Sequence, residues 1–476
     1  MSTFGGLSIA SSGLTAARKA LEVTGQNVAN ANTQGYTRQR VDQSPLAQSA
    51  LATYSRQNSL GDGVQVTGVS RVTDVVVNAR VNSTAANASY WTASAGALSS
   101  VETSLGEPGK NGLSQVMSDF WAKWQTVANN TGTTAAGQGA ANALIGQAQL
   151  LASTVSTGYT AAANAWADAR AGAASTVETI NATASKIADL NVTIRALTAA
   201  GSNANALLDQ RDAAVTSLAN LAGASTRTNG DGTIDVMVGG NSLVTGVTTR
   251  TVALSGATTF SSVAASPVKL TWADTGGGVS LDGGEIAGRI QALQPADTTV
   301  AGAGTGGVFA EAAKAFDDIA RSVADAVNAV HRTGTTATGA TGLDFYSYSS
   351  TGSAALSLAV VPTTVSGVAV ADGTKGNLDN TIADRIAQIG RTAGSPDSAW
   401  ATYVSRLGSQ TATANARATT SDTAATAAGA AQTSVGGVDL DEETANLVIY
   451  QHAYQASARV ISTINDVLDT LIRMGA

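Results

Sequence analysis

Apolar positions recur every seven residues at both ends of this chain. Toward the C-terminus, Leu440, Leu447, Tyr454, Ile461 and Leu468 form one row, with Tyr450, Ser457, Ile464 and Leu471 as its companion. Together they predict the seam of a single amphipathic helix reaching from Leu440 to Met474. At ~1.5 Å per residue that helix is about 50 Å long, and it needs a partner along its length. Asp439 is the expected N-cap, and Glu442 three residues on would complete a capping box. Asp441, Glu442 and Glu443 fall in the first turn, where the helix dipole favours negative charge. At the other end Leu7, Leu14, Leu21 and Val28 keep the same spacing, beside a companion row of Ala10, Ala17, Thr24 and Ala31. The expectation is that the two seams pair as a coiled-coil-like arm, small residues on one admitting large ones on the other. The alternative is two separate surface helices on a globular core. Charge favours pairing: residues 1–50 carry a net +2 and residues 435–476 a net −4.

Between the ends the period is mostly helical. The first helix should run from about Thr3 to Ala31 and stop where Asn and Gly tolerate a left-handed turn. Extended chain follows over Thr37–Gln43, then irregular structure with a strand piece at Val64–Val66. Helical spacing covers Val76–Val101, Leu113–Gln125, Ala140–Ala200 as one or two helices, and Leu207–Leu221. Near Ser225 the period falls to two, with strand–turn–strand spacing over Gly230–Val244 and further strands at Thr251–Leu254, Val268–Trp272 and Val279–Leu281. Helix resumes over Glu285–Leu293 and Val308–His331, and again over Asp384–Gly390 and Ser398–Leu407, the last extended by the Ala/Thr-rich stretch to Ser434. The fold class expected is mainly α with an inserted β domain, nested by chain order. Residues 1–50 and 435–476 form the arm. Residues 51–225, 285–335 and 375–434 form a discontinuous helical body. Residues 226–284 and 336–374 form a small β domain distal to the arm.

Composition narrows the chemistry. Charged residues are 13% and aromatics 4% of 476, so the chain suits long helices with small-residue packing better than bulky cores. A net charge of −7 with no basic cluster argues against a nucleic-acid partner. There is no cysteine, which removes disulfides, thiolate chemistry and Cys-based zinc sites. No run of apolar residues is long enough to span a membrane, and no signal-peptide pattern opens the chain.

Two motifs at opposite ends carry a family resemblance. Residues 26–36, with Asn27, Asn30, Thr33, Gly35 and Tyr36, resemble the N-terminal signature of the bacterial flagellar axial proteins of rod, hook and hook-associated type. Residues 450–461, including Gln451 and Tyr454, resemble the matching C-terminal motif. In the middle, Asn205, Leu208, Asp209, Arg211 and Asp212 lie in a segment similar to one typical of the hook-associated protein 1 family, the first hook–filament junction proteins. The Leu113–Gln125 segment resembles the same family, although the Asn-Pro pair usual after it is replaced here by Asn129-Asn130.

The resemblance implies a structural protein, not an enzyme, placed on the outside of the cell in the flagellum and self-assembling as a ring of subunits. It implies contacts with the hook protein and with a second hook-associated junction protein. It further implies export through the flagellar type III apparatus, with a chaperone masking the C-terminal helix. Assembly would run through Leu7, Leu14, Leu21, Val28, Leu440, Leu447, Tyr450, Tyr454, Ile461, Ile464, Leu468 and Leu471. The close rival is another axial protein, hook or distal rod; the distant one is a secreted wall-degrading enzyme on an axial scaffold.

No chemistry competes with that reading, and no cofactor or metal is expected. Gly302–Gly307 satisfies G-x-G-x-x-G but no buried strand precedes it, so it is expected to be a loop. Asn229, Asp231 and Asp235 around Gly232 lack the acid count of a calcium loop and suit a hairpin turn. His331 and His452 have no clustered acid and are expected at surfaces or interfaces. Asp209 and Asp212 are expected to make caps and local ion pairs. The dispersed tryptophans, Trp91, Trp121, Trp124, Trp166 and Trp400 among them, suit helix packing.

Overall fold

A computed structural model describes residues 3–46, 61, 63–130, 134–297, 305–373 and 378–475. The helix that opens the chain, α1 (Thr3–Ala29), leads into the antiparallel ribbon β1 (Gln39–Pro45) and β2 (Val64–Arg71). Four helices follow: α2 (Val75–Leu105), α3 (Leu113–Asn129), α4 (Ala135–Ala199) and α5 (Asn205–Ala222). Next come β3 (Ser225–Thr228), β4 (Ile234–Val238), β5 (Asn241–Thr245) and β6 (Thr248–Thr249) in one antiparallel sheet, and the pair β7 (Val252–Ser255) and β8 (Lys269–Trp272). Helices α6 (Glu285–Ala292) and α7 (Val308–His331) precede short pieces: β9 (Thr335–Thr336), β10 (Tyr346–Ser347), α8 (Ala354–Ser357), β11 (Ala359–Val360) and β12 (Ala369–Ala371). The chain closes with α9 (Thr381–Ala387), α10 (Pro396–Gly436) and α11 (Leu440–Gly475). The mainly helical class with small β elements is as expected.

Local chemistry sets the helix ends. Asp74 caps α2 by accepting from the backbone N–H groups of Val76 and Val77, and Gly106 ends it at φ 63°. Ser395 caps α10, with Pro396 in its first turn. The N-cap position of helix α3 is Gly112, which has no side chain to cap it. Glu107 does this from outside, accepting from the Ser114 N–H at 2.8 Å and from Trp400 Nε1 at 2.9 Å, which also ties α3 to α10. The stretch expected as one or two helices over Ala140–Ala200 is one helix of 65 residues, and the low-complexity stretch after Leu407 stays helical to Gly436. The glycine-rich segment falls partly outside the described residues; Gly306 and Gly307 pack against the backbone of residues 292–297.

One buried cluster unites the body. Phe120 and Trp124 of α3, Leu144 and Ile187 of α4, Val323 of α7 and Ile382 of α9 belong to it. Ile234, Val236, Leu243 and Leu270 of the strands belong to the same cluster, so the sheets are roofed by α4 and share the helical core. Asn191, buried on α4, bonds to the Ile234 and Gly246 carbonyls, and Asn181 brackets Val252 through both its N–H and its C=O. Asp235 accepts from Asn229 and Arg227, as befits a hairpin turn closed by Gly232 at φ 86°.

His331 departs from expectation: it is fully buried, not at a surface. The Ala369 N–H donates to its Nε2 at 2.9 Å, so Nδ1 carries the proton and donates to the Leu343 carbonyl at 2.7 Å. Burial pushes its pKa down, the Leu343 carbonyl and Asp344 opposing this weakly. The unfolded chain therefore binds the proton more tightly. The stability from the neutral ring is present above about pH 6.5 and is lost as pH falls below that value. Urea midpoints should drop on acidification from pH 7.5, and a His331→Asn variant should show a shallower drop. An equal slope in both proteins would contradict this origin.

Candidate functional site

Helices α1 and α11 pair antiparallel, and small residues of α1 make the contact: Ala10, Ala17 and Thr24 of the companion row and, beside them, Gly6, Gly13 and Ala20. A Cβ built on Gly6 would lie 3.2 Å from Ile464 Cδ1, and one on Gly13 would lie 3.2 Å from Ser457 Oγ. The same offset sets Ala20 opposite Tyr450, and Asn27 bonds to Glu443 at 3.2 Å. Ala10, Ala16, Ala17, Ala20, Val23 and Thr24 are buried. Leu7, Leu14 and Leu21 are only half-buried at the edge of the seam, and Val28 is exposed. The larger row of α1 is thus not the facing row. Without Cβ atoms at Gly6 and Gly13, the helix backbones can approach more closely than leucines would allow.

On α11 the pairing covers one face and leaves another bare. Tyr450, Ser457 and Ile464 lie toward α1 and are half-buried, as are Ile461 and Leu468. Leu440, Leu447, Tyr454 and Leu471 are exposed, Leu440 to 48% and Leu471 to 53%, and Val448, Ile449, Val460, Val467 and Ile472 extend the apolar surface. At ~100° per residue these exposed side chains lie on two flanks of the face paired with α1, Leu440, Leu447, Tyr454 and Ile472 on one and Ile449, Val460, Val467 and Leu471 on the other.

At its root the arm is held by polar groups from four separated parts of the chain. Asn27 makes four bonds: its Oδ1 accepts from the Tyr36 hydroxyl (2.8 Å) and the Gln39 N–H (3.0 Å), and its Nδ2 donates to the Gln39 carbonyl (2.9 Å) and to Glu443. Glu443 is 2% exposed and also accepts from Arg38 Nε at 2.7 Å. The Arg38 Nη atoms bind both oxygens of Glu442, and its N–H donates to the Gly436 carbonyl at 2.8 Å. Asp439 caps α11 as expected, accepting from the Asp441 and Glu442 N–H groups, but the capping box is not closed because Glu442 turns to Arg38. Gly35, at φ 79°, makes the left-handed turn that brings Tyr36 back to Asn27, while Asn30 and Thr33 bond within that turn. The Tyr36 hydroxyl is pushed up to about 12, chiefly by burial, with Asp209 and Glu443 adding to it.

Helix α5 anchors this root to the body. Asn205 Nδ2 donates to Gln39 Oε1 and the Val69 carbonyl, each at 3.0 Å. Arg71, at the end of β2, reaches Asp209 and Asp212 at 2.8 Å each, and Asp209 also accepts from the Thr37 N–H. These aspartates therefore make long-range contacts, not the local pairs expected of them. Arg211, buried on the same helix, points the other way, to Asn191 at 3.1 Å and the Gly232 carbonyl at 2.7 Å. Burial pushes the Arg211 pKa down, with Arg71 adding and Asp212 opposing. Leu208 is half-buried beside them.

The sequence-expected residues thus divide between two places. Asn27, Asn30, Thr33, Gly35, Tyr36, Asn205, Leu208, Asp209, Arg211 and Asp212 gather at or beside the root. Gln451, His452 and Tyr454 lie out along α11, exposed. Arg38, Gln39, Arg71 and Glu443 complete the root. Opposite net charge at the two ends was the only signal pointing to Arg38 and Glu443; Arg71 has no local signal. Trp121, Trp124, Trp166 and Trp400 are buried in helix packing, and Trp91 is half-buried under the guanidinium of Arg417. No group of three or more metal-ligating side chains occurs among the described residues, and no helix among them is long and apolar enough to cross a membrane.

Comparison with known proteins finds matches to the body and to both halves of the arm. The family model of the flagellar hook-associated protein FlgK helical domain matches residues 98–346. The model of the flagella basal body rod protein matches residues 7–37, and that of the flagellar basal body rod FlgEFG protein C-terminal region matches residues 434–474. Flagellar hook-associated protein 1 of Bacillus subtilis is 27% identical, aligning 99% of this chain with 98% of its own length. The protein of that name from Salmonella typhimurium is also 27% identical, over 98% and 99%. The solved structure of the flagellar hook junction protein FlgK from Burkholderia pseudomallei shares the fold, with a TM-score of 0.61 over 75% of this chain and 100% of that one at 16% identity.

Proposed function

Because the chain belongs to the flagellar hook-associated protein FlgK family, we propose that it is the structural piece joining hook to filament, assembling as a ring of subunits through its terminal arm. The observation that carries this is the uncovered apolar surface of α11. A free two-helix arm leaves Leu440, Leu471 and Ile472 48%, 53% and 68% exposed. Each such side chain contributes ~1.5–3 kcal/mol when fully buried. Neighbouring arms are the natural cover, since they carry the same stripe. In this reading residues 1–50 and 435–476 form the assembling arm, and the body and its small sheets lie outside it. The hook protein and a second hook-associated protein are the partners at the two faces of the ring. A chaperone masks α11 before type III export to the cell exterior.

The rival assignment to hook or rod rests on the arm alone, because the rod-type matches stop at residues 37 and 434. Residues 98–346, between them, match the hook-associated family.

Limited proteolysis tests the assembly route. In soluble monomer both ends should be trimmed first, inward from Gly475 and from the start of α1, stopping near the polar root. In assembled material the same bonds should resist. Equal resistance in the two forms would contradict assembly through the arm.

A further inference from the structure

The pairing of α1 with α11 raises a question of register that its own periodicity does not answer. Gly6, Gly13 and Ala20 repeat every seven residues, and so do Tyr450, Ser457 and Ile464. A slide of one heptad presents much the same small surface to another large side chain. The slide is about 10 Å at ~1.5 Å per residue. Residues 437–439 join α10 to α11, and each residue that leaves the end of α10 for extended chain adds about 2 Å (~3.3–3.6 Å against ~1.5 Å per residue), so unwinding about one and a half turns there covers that distance. The connection alone does not forbid movement toward the free end of the arm.

We infer that Glu443, with Asn27 as its partner, is the positioning residue that fixes the register of the terminal arm. The seven-residue series Gly6, Gly13, Ala20 ends in Asn27, the one member whose side chain hydrogen-bonds across the seam. The series Ile464, Ser457, Tyr450 ends in Glu443, which is 2% exposed and bonded to Asn27 and Arg38. In the observed register these two ends meet. Sliding α11 one heptad toward the free end sets Glu443 against Ala20, which has no side-chain donor, and carries it away from Asn27 and Arg38, a heavy penalty for a carboxylate that stays buried. Sliding it the other way sets Tyr450 against Asn27 and drives the first turn of α11 past the Arg38–Gly436 bond. A single polar pair in an otherwise permissive seam selects one register, as buried polar residues do in coiled coils. The inference concerns pairing within one chain and stands apart from the junction reading.

The absence of cysteine makes the test unambiguous. In the full-length chain, Gly13→Cys with Ser457→Cys reports the observed register, and Gly13→Cys with Tyr450→Cys reports the slipped one. Under mild oxidation the first pair should crosslink within the monomer far faster than the second. Adding Glu443→Leu should lower the ratio of the two rates about tenfold or more, the value of a lost charge-assisted bond. Glu443→Gln, which can still accept from Asn27, should keep most of the preference. An unchanged ratio in Glu443→Leu would overturn the inference. A parallel fall of both crosslinks at constant ratio would also overturn it, because Glu443 would then support pairing without selecting its register.

Discussion

Replacing Arg71 with alanine should destabilise the chain by about 3–5 kcal/mol and free the arm from the body. The figure is that for removing one partner of a buried ion pair. Arg71 and Asp209 have side chains only 12% and 10% exposed, and Nη1 of Arg71 bridges Asp209 and Asp212 at 2.8 Å each. Without the guanidinium, Asp209 retains only the 3.3 Å bond from the Thr37 N–H. Asp212, 37% exposed, can turn to water, so the cost falls mainly on Asp209. Because Thr37 follows the turn that holds Tyr36 to Asn27, loss of this anchor should spread to the arm. Hydrogen exchange should rise in β1, β2 and the first turn of α11, while α3 and α7 stay protected. Arg71→Met combined with Asp209→Asn should recover part of the loss, since no buried charge is then left unpaired. A loss under about 1 kcal/mol for Arg71→Ala, the value of an exposed pair, would show that the bridge is not an anchor.

How much of this was legible in the chain depends on how local the causes are. The stripe of Phe316, Ile319, Val323 and Val327 defines α7 because each residue lies a helical turn from the next. The heptads announced both halves of the arm and small residues facing large ones, but not that Gly6 and Gly13 line the contact while Leu7, Leu14 and Leu21 sit at its edge. A hydrophobic pattern ranks Leu7, Leu14 and Leu21 above Gly6 and Gly13, whereas close helix approach ranks them the other way. The root was half legible. Its turn residues Asn27, Gly35 and Tyr36 are near neighbours, but Arg38 and Glu443 lie 405 positions apart, and Arg71 and Asp209 lie 138 apart. His331 was misplaced for the same reason. Its burial is set by Leu343 and Ala369, which reach it only after β9–β12 fold back over α7. The shared core of strands and helices was hidden too, since Asn191 and Asn181 on α4 are polar letters in a helical run yet satisfy strand backbone.

Deleting residues 440–476 should leave the body folded and abolish stable attachment of filaments. The body can survive because its buried cluster draws on α3 to α7, the strands and α9–α10, and contains no residue of α11. The arm contributes Ala10, Ala17 and Ala20 of α1 to burial, and these would be exposed. Small side chains bury little area, so circular dichroism and thermal unfolding of the remaining helices should change modestly. Assembly should change far more. With α11 go Leu447, Ile449, Leu471 and Ile472, all exposed in the single chain and available for a neighbour. Even three of them buried in each contact at ~1.5–3 kcal/mol apiece amount to several kcal/mol per subunit, repeated around a ring. Cells carrying the truncated chain should display hooks and release filament protein into the medium. A milder form of the experiment, Leu447→Glu with Leu471→Glu, keeps both helices and the polar root yet should weaken attachment in the same direction, because each glutamate would be buried without a partner. Normal attached filaments with the truncated chain would refute the arm as the joining element. Attachment lost with the truncation but normal with the double glutamate would place the joining contacts on the α1 side of the arm instead of the exposed stripe of α11.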